Sequence, residues 1–282
     1  MTLFTLSDAE IDRLLAEDVP FGDLTTLSLG IGAEPGLMAF RARGAMTVSA
    51  VEEAVRLIER AGAKVTAAVA SGASLEADAV ILEAVGPASA LLAGWKAAQT
   101  LVEVASGIAS VTRAIVDAAT AVAPEVVVAC TRKTFPGTKA IAIKAVMAGG
   151  AIVHRLGLSE TVLLFPEHRV FAPDTPLPEL LARLKSRCPE KKIVVEVGNA
   201  EEALRAAEAG ADVVQLEKFA PAAVARVVAM IGSSTLVAAA GGINPGNAAA
   251  YAASGARVLV TSAPYWAPPR DVAVSIGRRG IH

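Results

Sequence analysis

The second half of the chain repeats one pattern, in which a short apolar run is followed by a turn and then by an alanine-rich segment of helical periodicity. The apolar runs lack the polar alternation of a strand exposed on one face, which favours a parallel sheet covered by helices. Helices are predicted between the runs, most clearly at 179–187, 199–209, 220–231 and 245–254. The candidate strands are 126–130, 151–153, 162–164, 192–197, 212–216, 235–239 and 257–260. This repetition predicts an incomplete β/α barrel, with an open doubly wound sheet as the alternative.

The first part of the chain is mixed in character. Ser7 and Glu10 form a capping-box pattern that predicts the start of a helix, and the segment 18–26 is expected to be a turn-rich loop. Short alternating segments surround a helical run at 51–61, which indicates an α+β module. The alternating segments are 37–42, 46–50, 64–70 and 79–85.

A long helical run follows Pro87 and reaches about residue 123, so it can join two domains. We therefore predict an α/β protein in which an incomplete β/α barrel is preceded by an N-terminal α+β domain. The predicted N-terminal domain comprises residues 1–110 and includes the start of the linking helix. The predicted barrel domain comprises residues 111–282, and its C-terminal tail is expected to pack back on the N-terminal domain.

Composition narrows the classes of function. The 282 residues are 54% hydrophobic, which is ample for a buried core. A net charge of -2 and an aromatic content of 4% argue against nucleic-acid binding. No apolar passage is long enough to span a bilayer and the N-terminus lacks the order of a secretory signal, so we expect a cytoplasmic protein without membrane contact. The two cysteines have no metal-binding spacing.

One segment, residues 130–155, concentrates positive charge in a chain that is otherwise nearly neutral. Its cationic side chains are Arg132, Lys133, Lys139, Lys144 and Arg155, and His154 lies beside the last of them. Such a cluster is typical of an anion-binding site. The alternative is a solvated basic loop on the surface.

In a β/α barrel the functional residues lie at the C-terminal ends of the strands. Arg132 and Lys133 follow the first predicted strand, and His154 and Arg155 follow the second. Glu196 and Glu217 lie at the ends of later strands. Acids beside cations suit a substrate with several negative charges that carries Mg²⁺, because Mg²⁺ is held by few carboxylates and by substrate phosphates. The alternative is that these acids are neutralised by neighbouring Lys or Arg side chains.

A glycine pair near the end of the chain predicts a phosphate site. Gly241 and Gly242 follow an apolar strand and precede a helix expected to begin at Pro245, so backbone N–H groups can approach an oxyanion. Thr261 and Ser262, at the end of the next strand, are expected to complete this site. His154 has no zinc-ligand spacing, and we expect it to donate a hydrogen bond to an anion rather than to act as a general base.

Several motifs, in this order and spacing, resemble the quinolinate phosphoribosyltransferase family, also called nicotinate-nucleotide pyrophosphorylase (carboxylating). The resemblance covers nearly the whole chain. The motifs are GDLTT (22–26), SGIAS (106–110), TRKTFPGTK (131–139), GG with HRLGLSE (149–160) and GGI (241–243).

The resemblance implies an N-terminal α+β domain, an incomplete α/β barrel, and a homodimer in which each site is completed by the neighbouring subunit. It also implies a Mg²⁺-dependent reaction in which an anionic aromatic acid displaces pyrophosphate from phosphoribosyl pyrophosphate. With quinolinate as the acceptor, the 2-carboxylate is then lost as CO₂ and nicotinate mononucleotide is formed. Positioning of two anions and neutralisation of the leaving group suffice for such a transfer, without a nucleophilic side chain.

The resemblance also implies roles for single residues. By position in the motifs, Arg132, His154 and Arg155 hold the acceptor carboxylates, and Lys133 reaches both substrates. Glu196 and Glu217 match the acidic pair near the ribose and the metal. Gly241 and Gly242 match the glycines of the family's phosphate loop. The residues expected to bind phosphate are Lys139, Gly241, Gly242, Thr261 and Ser262.

Three departures from the family pattern concern the acceptor. Lys96, in Trp95-Lys96, stands where the family has an arginine that reaches the neighbouring subunit's substrate, and lysine cannot make a bidentate carboxylate contact. Phe165 replaces a lysine, and the segment 238–240, Ala-Ala-Ala, replaces Glu-Ser-Ser or Glu-Ala-Ser. Losing a partner for a buried carboxylate costs roughly 2 to 5 kcal/mol of binding.

The segments WKAAQ (95–99), TRKTFPGTK (131–139) and LLFPEH (163–168) resemble a branch of the family that is encoded with molybdate transport genes and has no defined acceptor. We expect a phosphoribosyltransferase that acts on quinolinate or a related anionic acid. Nicotinate as acceptor, without decarboxylation, is a variant of this hypothesis. The alternative of a different class is a non-catalytic relative that binds phosphate or nucleotide and is linked to molybdate handling.

Overall fold

A computed structural model describes residues 5–278. The chain forms two compact units. The first unit contains the chain up to Arg113, the segment Phe135–Gly150 and the segment from Pro264 onward. The second unit contains Ala114–Thr134 and Ala151–Ala263. The boundary expected at residues 110 and 111 remains a prediction.

All the strands predicted in the second half of the chain are present, each within one residue of its predicted ends. The strands are β1 (Pro35–Ala42), β2 (Met46–Thr47), β3 (Lys64–Ala68), β4 (Ser74–Leu75), β5 (Val80–Pro87), β6 (Val127–Cys130), β7 (Ile152–Val153), β8 (Val162–Leu164), β9 (Ile193–Val197), β10 (Val213–Glu217), β11 (Leu236–Ala240), β12 (Val258–Thr261) and β13 (Val272–Arg278). The helices are α1 (Asp8–Asp18), α2 (Leu24–Leu29), α3 (Val51–Arg60), α4 (Ala88–Thr120), α5 (Lys139–Ala148), α6 (Pro166–Val170), α7 (Leu177–Arg187), α8 (Ala200–Glu208), α9 (Pro221–Ile231) and α10 (Ala248–Ala253).

The first unit is built on an antiparallel sheet in the order β13-β1-β5-β3. Strand β1 alternates buried and exposed positions, so that Met38 and Phe40 enter the core while Leu37 and Ala39 do not. Leu57 and Ile58 of the amphipathic helix α3 belong to the same buried cluster. Burial of this apolar face, rather than helix propensity, holds α3 in place.

Part of the segment expected to be a loop at 18–26 is helical. Asp23 accepts a hydrogen bond from the amide of Thr25 at 2.9 Å and caps the first turn of α2. The helix ends after Leu29 at Gly30, which has φ 67°. The turn-rich composition concealed a short helix that depends on this cap. The capping box of Ser7 and Glu10 at α1 is confirmed.

The second unit contains a parallel sheet of seven strands in the order β7-β6-β12-β11-β10-β9-β8. Because β7 and β8 stand at opposite ends of this order, the sheet is not closed. The prediction of an incomplete β/α barrel preceded by an α+β region is confirmed. No described helix has the length and apolarity needed to cross a membrane.

The helix expected at Pro245 begins three residues later, at Ala248. The side chain of Asn247 accepts the amide proton of Asn244 at 2.8 Å, and the side chain of Asn244 accepts that of Gly246 at 2.9 Å. These local hydrogen bonds compete with helical ones and keep the segment in turns. The helix end assigned to phosphate binding is therefore displaced from Asn244.

A buried ion pair joins α3 and α5 within the first unit. The Lys144 side chain is 1% exposed, and its Nζ lies 2.5 Å from Oε2 of Glu53, whose side chain is 0% exposed. Nζ also lies 2.7 Å from Oε2 of Glu52. Burial raises the pKa of Glu52, but hydrogen bonds from Lys144 and Ser71 outweigh it and lower the pKa to about 2. This contribution to stability is complete above the ordinary pKa of 4.5 and is lost as the pH falls toward 2.

Replacing Lys144 by methionine is expected to lower the free energy of unfolding by about 3–5 kcal/mol, because the charge of Glu53 then has no buried partner. Urea unfolding at neutral pH measures this loss. Lys185→Met, on an exposed position of α7, is the matched control and should change the free energy by less than about 0.5 kcal/mol. Equal unfolding midpoints for the two variants would contradict a stabilising ion pair.

Candidate active site

The register of the parallel sheet places the predicted acids on one face of the second unit. Gln215 lies opposite Glu196 on one side and Ala238 on the other, and Glu217 lies opposite Ala240. Ala238 and Ala240 belong to a buried apolar cluster. Side chains two residues apart on a strand point to the same side. Glu196, Gln215 and Glu217 therefore share the face of this cluster, which we call the inner face.

Three more polar residues lie at the ends of β6, β7 and β12. The hydroxyl oxygens of Thr131 and Ser262 lie 2.6 Å apart. The amide of His154 donates to the carbonyl of Cys130 at 2.8 Å, which continues the pairing of β7 with β6. Thr131, His154 and Ser262 thus follow the C-terminal ends of neighbouring strands, where β/α barrels carry their functional residues.

Arg155 is a buried cation without an anionic partner among the described residues. It is 5% exposed, and its guanidinium carbon lies 5.2 Å from the centre of the Phe165 ring. Burial and the positive charge of Arg132 lower the pKa of Arg155, whereas the charge of Glu196 raises it. A cation that is partly removed from water and forms no salt bridge costs free energy. The arrangement is therefore suited to receive an anion.

His154 contributes a neutral donor next to this cation. Burial lowers the pKa of His154, and the positive charge of Arg155 lowers it further. The imidazole is therefore uncharged near neutral pH and can donate one hydrogen bond without adding positive charge. The hydrogen-bonding role expected for His154 is compatible with this environment and stays a prediction.

Glu196 and Glu217 act on each other electrostatically. Burial raises the pKa of Glu196, and the negative charge of Glu217 raises it further. The hydrogen bond from Gln215 and the charge of Lys133 oppose this shift. The two carboxylates thus form an acidic pair on neighbouring strands, beside the cations.

This acidic pair fits a Mg²⁺ ion. A divalent cation near both carboxylates would remove their mutual repulsion, and Mg²⁺ is usually held by one or two carboxylates together with substrate phosphates. No group of three or more His, Cys, Asp or Glu side chains able to hold a metal occurs within residues 5–278. Two carboxylates alone are a donor set that a Mg²⁺ ion would complete with substrate phosphates.

Backbone geometry brings the glycine loop close to the end of β10. Lys218 has φ 60°, a strained value for a residue with a side chain, and its amide donates to the carbonyl of Ala240 at 2.7 Å. A Cβ atom on Gly241 would lie 2.7 Å from Cγ of Lys218, so only glycine fits. The amides of Gly241 and Gly242 donate to no acceptor in the described part of the chain. Both are available to an oxyanion.

The Thr261 side chain stabilises the glycine loop by a hydrogen bond to its backbone. It is 3% exposed, and its hydroxyl donates to the carbonyl of Ile243 at 2.6 Å and accepts the amide of Ala263 at 3.0 Å. The hydroxyl of Ser262 lies instead beside Thr131. Of the two residues assigned to phosphate, Ser262 is thus the better placed to contact a ligand directly.

The remaining predicted residues are exposed cations. Arg132 and Lys133 follow β6 in the second unit. Lys96 and Lys139 belong to the first unit, where Lys96 Nζ lies 2.8 Å from the side-chain oxygen of Gln99 and 3.9 Å from the centre of the Trp95 ring. Lys139 is the first residue of α5. The second unit thus contains, at the ends of its strands, Thr131, Arg132, Lys133, His154, Arg155, Glu196, Glu217, Gly241, Gly242 and Ser262.

Gln215 was not anticipated from the sequence. It is 4% exposed, its Nε2 donates to Oε2 of Glu196 at 2.8 Å, and its Oε1 has no hydrogen-bond partner among the described residues. Gln215 fixes the orientation of Glu196 by this bond. A single amide inside the apolar run VVQLE was the available signal, because a buried polar side chain requires a polar partner.

Family models match nearly the whole chain. The model described as the N-terminal domain of quinolinate phosphoribosyl transferase matches residues 23–106, and the model of its C-terminal domain matches residues 108–275. Solved structures share the fold. The nicotinate-nucleotide pyrophosphorylase from Francisella tularensis superposes with a TM-score of 0.89 at 22% identity, over 98% of this chain and 100% of that chain.

Relatives in sequence fall into two groups. A Rhodobacter capsulatus protein named "Putative pyrophosphorylase ModD" is 54% identical over 257 residues, which cover 90% of this chain and 99% of the relative. A Pasteurella multocida protein of the same name is 37% identical over 280 residues, 97% of this chain and 98% of the relative. An Archaeoglobus fulgidus protein named "Probable nicotinate-nucleotide pyrophosphorylase [carboxylating]" is 30% identical over 246 residues, 86% of this chain and 92% of the relative.

The higher identity to the ModD proteins confirms that the chain lies in a separate branch, as its departures from the common pattern indicated. The family and the fold are those of pentosyltransferases. Two adjoining domain matches, a shared fold and relatives aligned over nearly their full length lead to one conclusion: the chain belongs to the quinolinate phosphoribosyltransferase family.

Proposed function

We propose that this protein is a Mg²⁺-dependent phosphoribosyltransferase that transfers the phosphoribosyl group of phosphoribosyl pyrophosphate to an anionic heteroaromatic acid, quinolinate or a related compound. The observation that carries the proposal is the buried Arg155, which has no anionic partner among the described residues and lies within electrostatic reach of Arg132 and Glu196. Family membership supplies the reaction class.

The cations bind the acceptor in this proposal. Arg155 supplies a desolvated charge, Arg132 an exposed one, and His154 a neutral donor. A carboxylate that bridges Arg132 and Arg155 would relieve the repulsion between them, and hydrogen bonds between charged groups are the strong ones. The acceptor ring is thereby oriented so that its nitrogen can attack the anomeric carbon.

The acids and the glycine loop bind the donor. Amides of Gly241 and Gly242 approach the phosphate, Ser262 adds a hydroxyl, and Glu196 and Glu217 face the ribose and the Mg²⁺ that accompanies the pyrophosphate. The C–N bond forms as the C–O bond to pyrophosphate breaks, through a transition state with positive charge on the ribose. Glu196, oriented by Gln215, stabilises this charge. When bound, Mg²⁺ neutralises the leaving pyrophosphate.

We also propose a homodimer in which Lys96 of one subunit reaches the acceptor site of the other. Lys96 is exposed, and its Nζ is held only by Gln99 and the Trp95 ring among described residues. The first unit also exposes several large apolar side chains close together in sequence, which suits an interface. They are Phe21, Leu24, Leu27 and Leu29.

Pyrophosphate release tests the reaction directly. Purified protein with phosphoribosyl pyrophosphate and Mg²⁺ should release pyrophosphate when a pyridine carboxylic acid is added, and EDTA should abolish the release because the leaving group is no longer neutralised. A coupled colorimetric assay measures the rate over a panel of acids. Tight binding of phosphoribosyl pyrophosphate without release in the presence of any acid would favour the non-catalytic alternative.

Replacing Arg155 by methionine separates a binding role from a structural one. We expect the acceptor dissociation constant to rise by a factor that corresponds to about 2–5 kcal/mol. The unfolding midpoint should be unchanged or higher, because the variant removes a buried charge that has no partner. Calorimetric titration and urea unfolding measure the two effects. Arg226→Ala, on an exposed position of α9, is the control for both. Loss of stability with unchanged acceptor binding would refute the assignment.

Subunit mixing tests the shared site. Lys96→Ala and Arg155→Met should each be nearly inactive alone, since each removes one cation from every site. After the two variants are unfolded and refolded together, about a quarter of wild-type activity should return, because half of the dimers are mixed and one of their two sites is intact. Absence of any recovery, with mixed dimers demonstrated by differently tagged chains, would contradict a site completed by Lys96.

A further inference from the structure

Phe165 borders the inner face at the acidic pair. Strand β8 pairs with β9 so that Leu164 lies opposite Val195, and continuation of this register places Phe165 beside Glu196. The Phe165 side chain is half-buried. An aromatic ring thus stands at the C-terminal end of β8, where the neighbouring strands end in charged residues.

The ring is held by two contacts in addition to the strand. The rings of Phe165 and His168 are stacked, with centroids 5.6 Å apart and planes inclined by 19°. The amide of Phe165 donates to Nδ1 of His168 at 3.0 Å. His168 therefore fixes both the backbone and the ring of Phe165. The Phe165 ring also contacts the guanidinium of Arg155.

The charges around Phe165 disfavour a second carboxylate. Arg155 presents its guanidinium to the ring, and the residues beside Phe165 on the sheet and along the chain include the acids Glu196 and Glu167. The negative charges of these two acids, Glu196 and Glu167, repel each other. A carboxylate placed against Phe165 would lie beside these negative charges, and the cation in contact with the ring, Arg155, is already paired with the first carboxylate of the acceptor. A hydrogen or an apolar edge of the acceptor would instead pack on the ring.

We propose that Phe165, held by His168, is a specificity-determining residue and that the preferred acceptor is a planar heteroaromatic acid with a single carboxylate, bound by Arg155 with an uncharged ring edge against Phe165. This inference rests on the proposed function, of which it names the acceptor class. It also implies that no CO₂ is released in the preferred reaction, because the acceptor lacks the second carboxylate.

Direct binding tests the inference without requiring turnover. We expect the wild-type protein to bind pyridine-3-carboxylate at least about tenfold more tightly than pyridine-2,3-dicarboxylate in calorimetric titrations. Phe165→Lys should reverse this order, because a cation then faces the second carboxylate. Phe165→Leu should weaken both ligands and keep the order, since it removes the aromatic face without adding charge.

One further variant is a control for the added charge, and two others test the role of His168. Phe171→Lys adds the same charge at a position that is 89% exposed just after α6, and it should leave the order and the ratio unchanged. His168→Ala should reduce the preference toward unity by releasing the ring. His168→Gln, which can still accept the Phe165 amide as a capping residue, should restore part of the preference. A dicarboxylate preference in the wild type, or an unchanged order in Phe165→Lys, would overturn the inference.

Binding and turnover measurements distinguish a wrong acceptor class from a wrong proposed function. If the binding preference and its reversal are observed but no acid releases pyrophosphate, the acceptor class stands and the transferase activity does not. If pyrophosphate is released with the dicarboxylate and CO₂ is evolved at a higher kcat/KM than with the monocarboxylate, the activity stands and the acceptor class proposed here is wrong.

Discussion

The register of the parallel sheet is the constraint on which the site depends. Because β9, β10 and β11 are paired residue by residue, Glu196, Gln215 and Ala238 form one row across the sheet. Side chains alternate along a strand, so a slip of one residue in β10 would turn both Gln215 and Glu217 away from the inner face. The apolar cluster around Ala238 and Ala240 holds the register, since a slip would also remove its neighbours from contact.

Small side chains on β11 face the row of polar residues on β10. Ala238 and Ala240 present only methyl groups opposite Gln215 and Glu217. Gly241 then passes so close to Lys218 that a side chain on it would collide, and Lys218 itself adopts a strained left-handed conformation. Strain of this kind persists only where the surrounding structure fixes it, and it is concentrated at functional sites. The alanines therefore pack in the buried cluster, and only glycine fits at the turn that follows them.

Elements with a local signal could be predicted from the sequence, and elements that depend on distant partners could not. The strands of the second unit are continuous apolar runs, a pattern that needs no knowledge of the partner strand. Strand β13 pairs with β1, which lies near the other end of the chain. The last four residues of β13 are exposed, so its sequence carries little hydrophobic signal of its own. The predicted start of α10 at Pro245 was wrong. Proline is favourable in the first turn of a helix, but the side chains of Asn244 and Asn247 accept hydrogen bonds from nearby backbone amides and keep this segment in turns.

The site was predictable in its residue types but not in its contacts. The positions of Arg155 and Glu196 after strands indicated that both would lie at the same edge of the sheet. Their burial, the stack of Phe165 on His168 and the amide bond from Gln215 depend on side-chain packing between strands. Gln215 gave the clearest missed signal, because an amide inside an apolar strand has to find a polar partner.

The two most buried cations of the described chain illustrate the difference between a structural and a functional charge. Lys144 is surrounded by Glu52 and Glu53, so its desolvation is compensated within the protein. Arg155 is almost as buried but meets an aromatic ring and a like-charged arginine. In the proposed function a bound anion supplies the salt bridge that Arg155 lacks among the described residues, and the free energy released on binding is available for orientation of the acceptor. The apolar ring of Phe165 in contact with Arg155 then limits how much negative charge the proposed anion can bring.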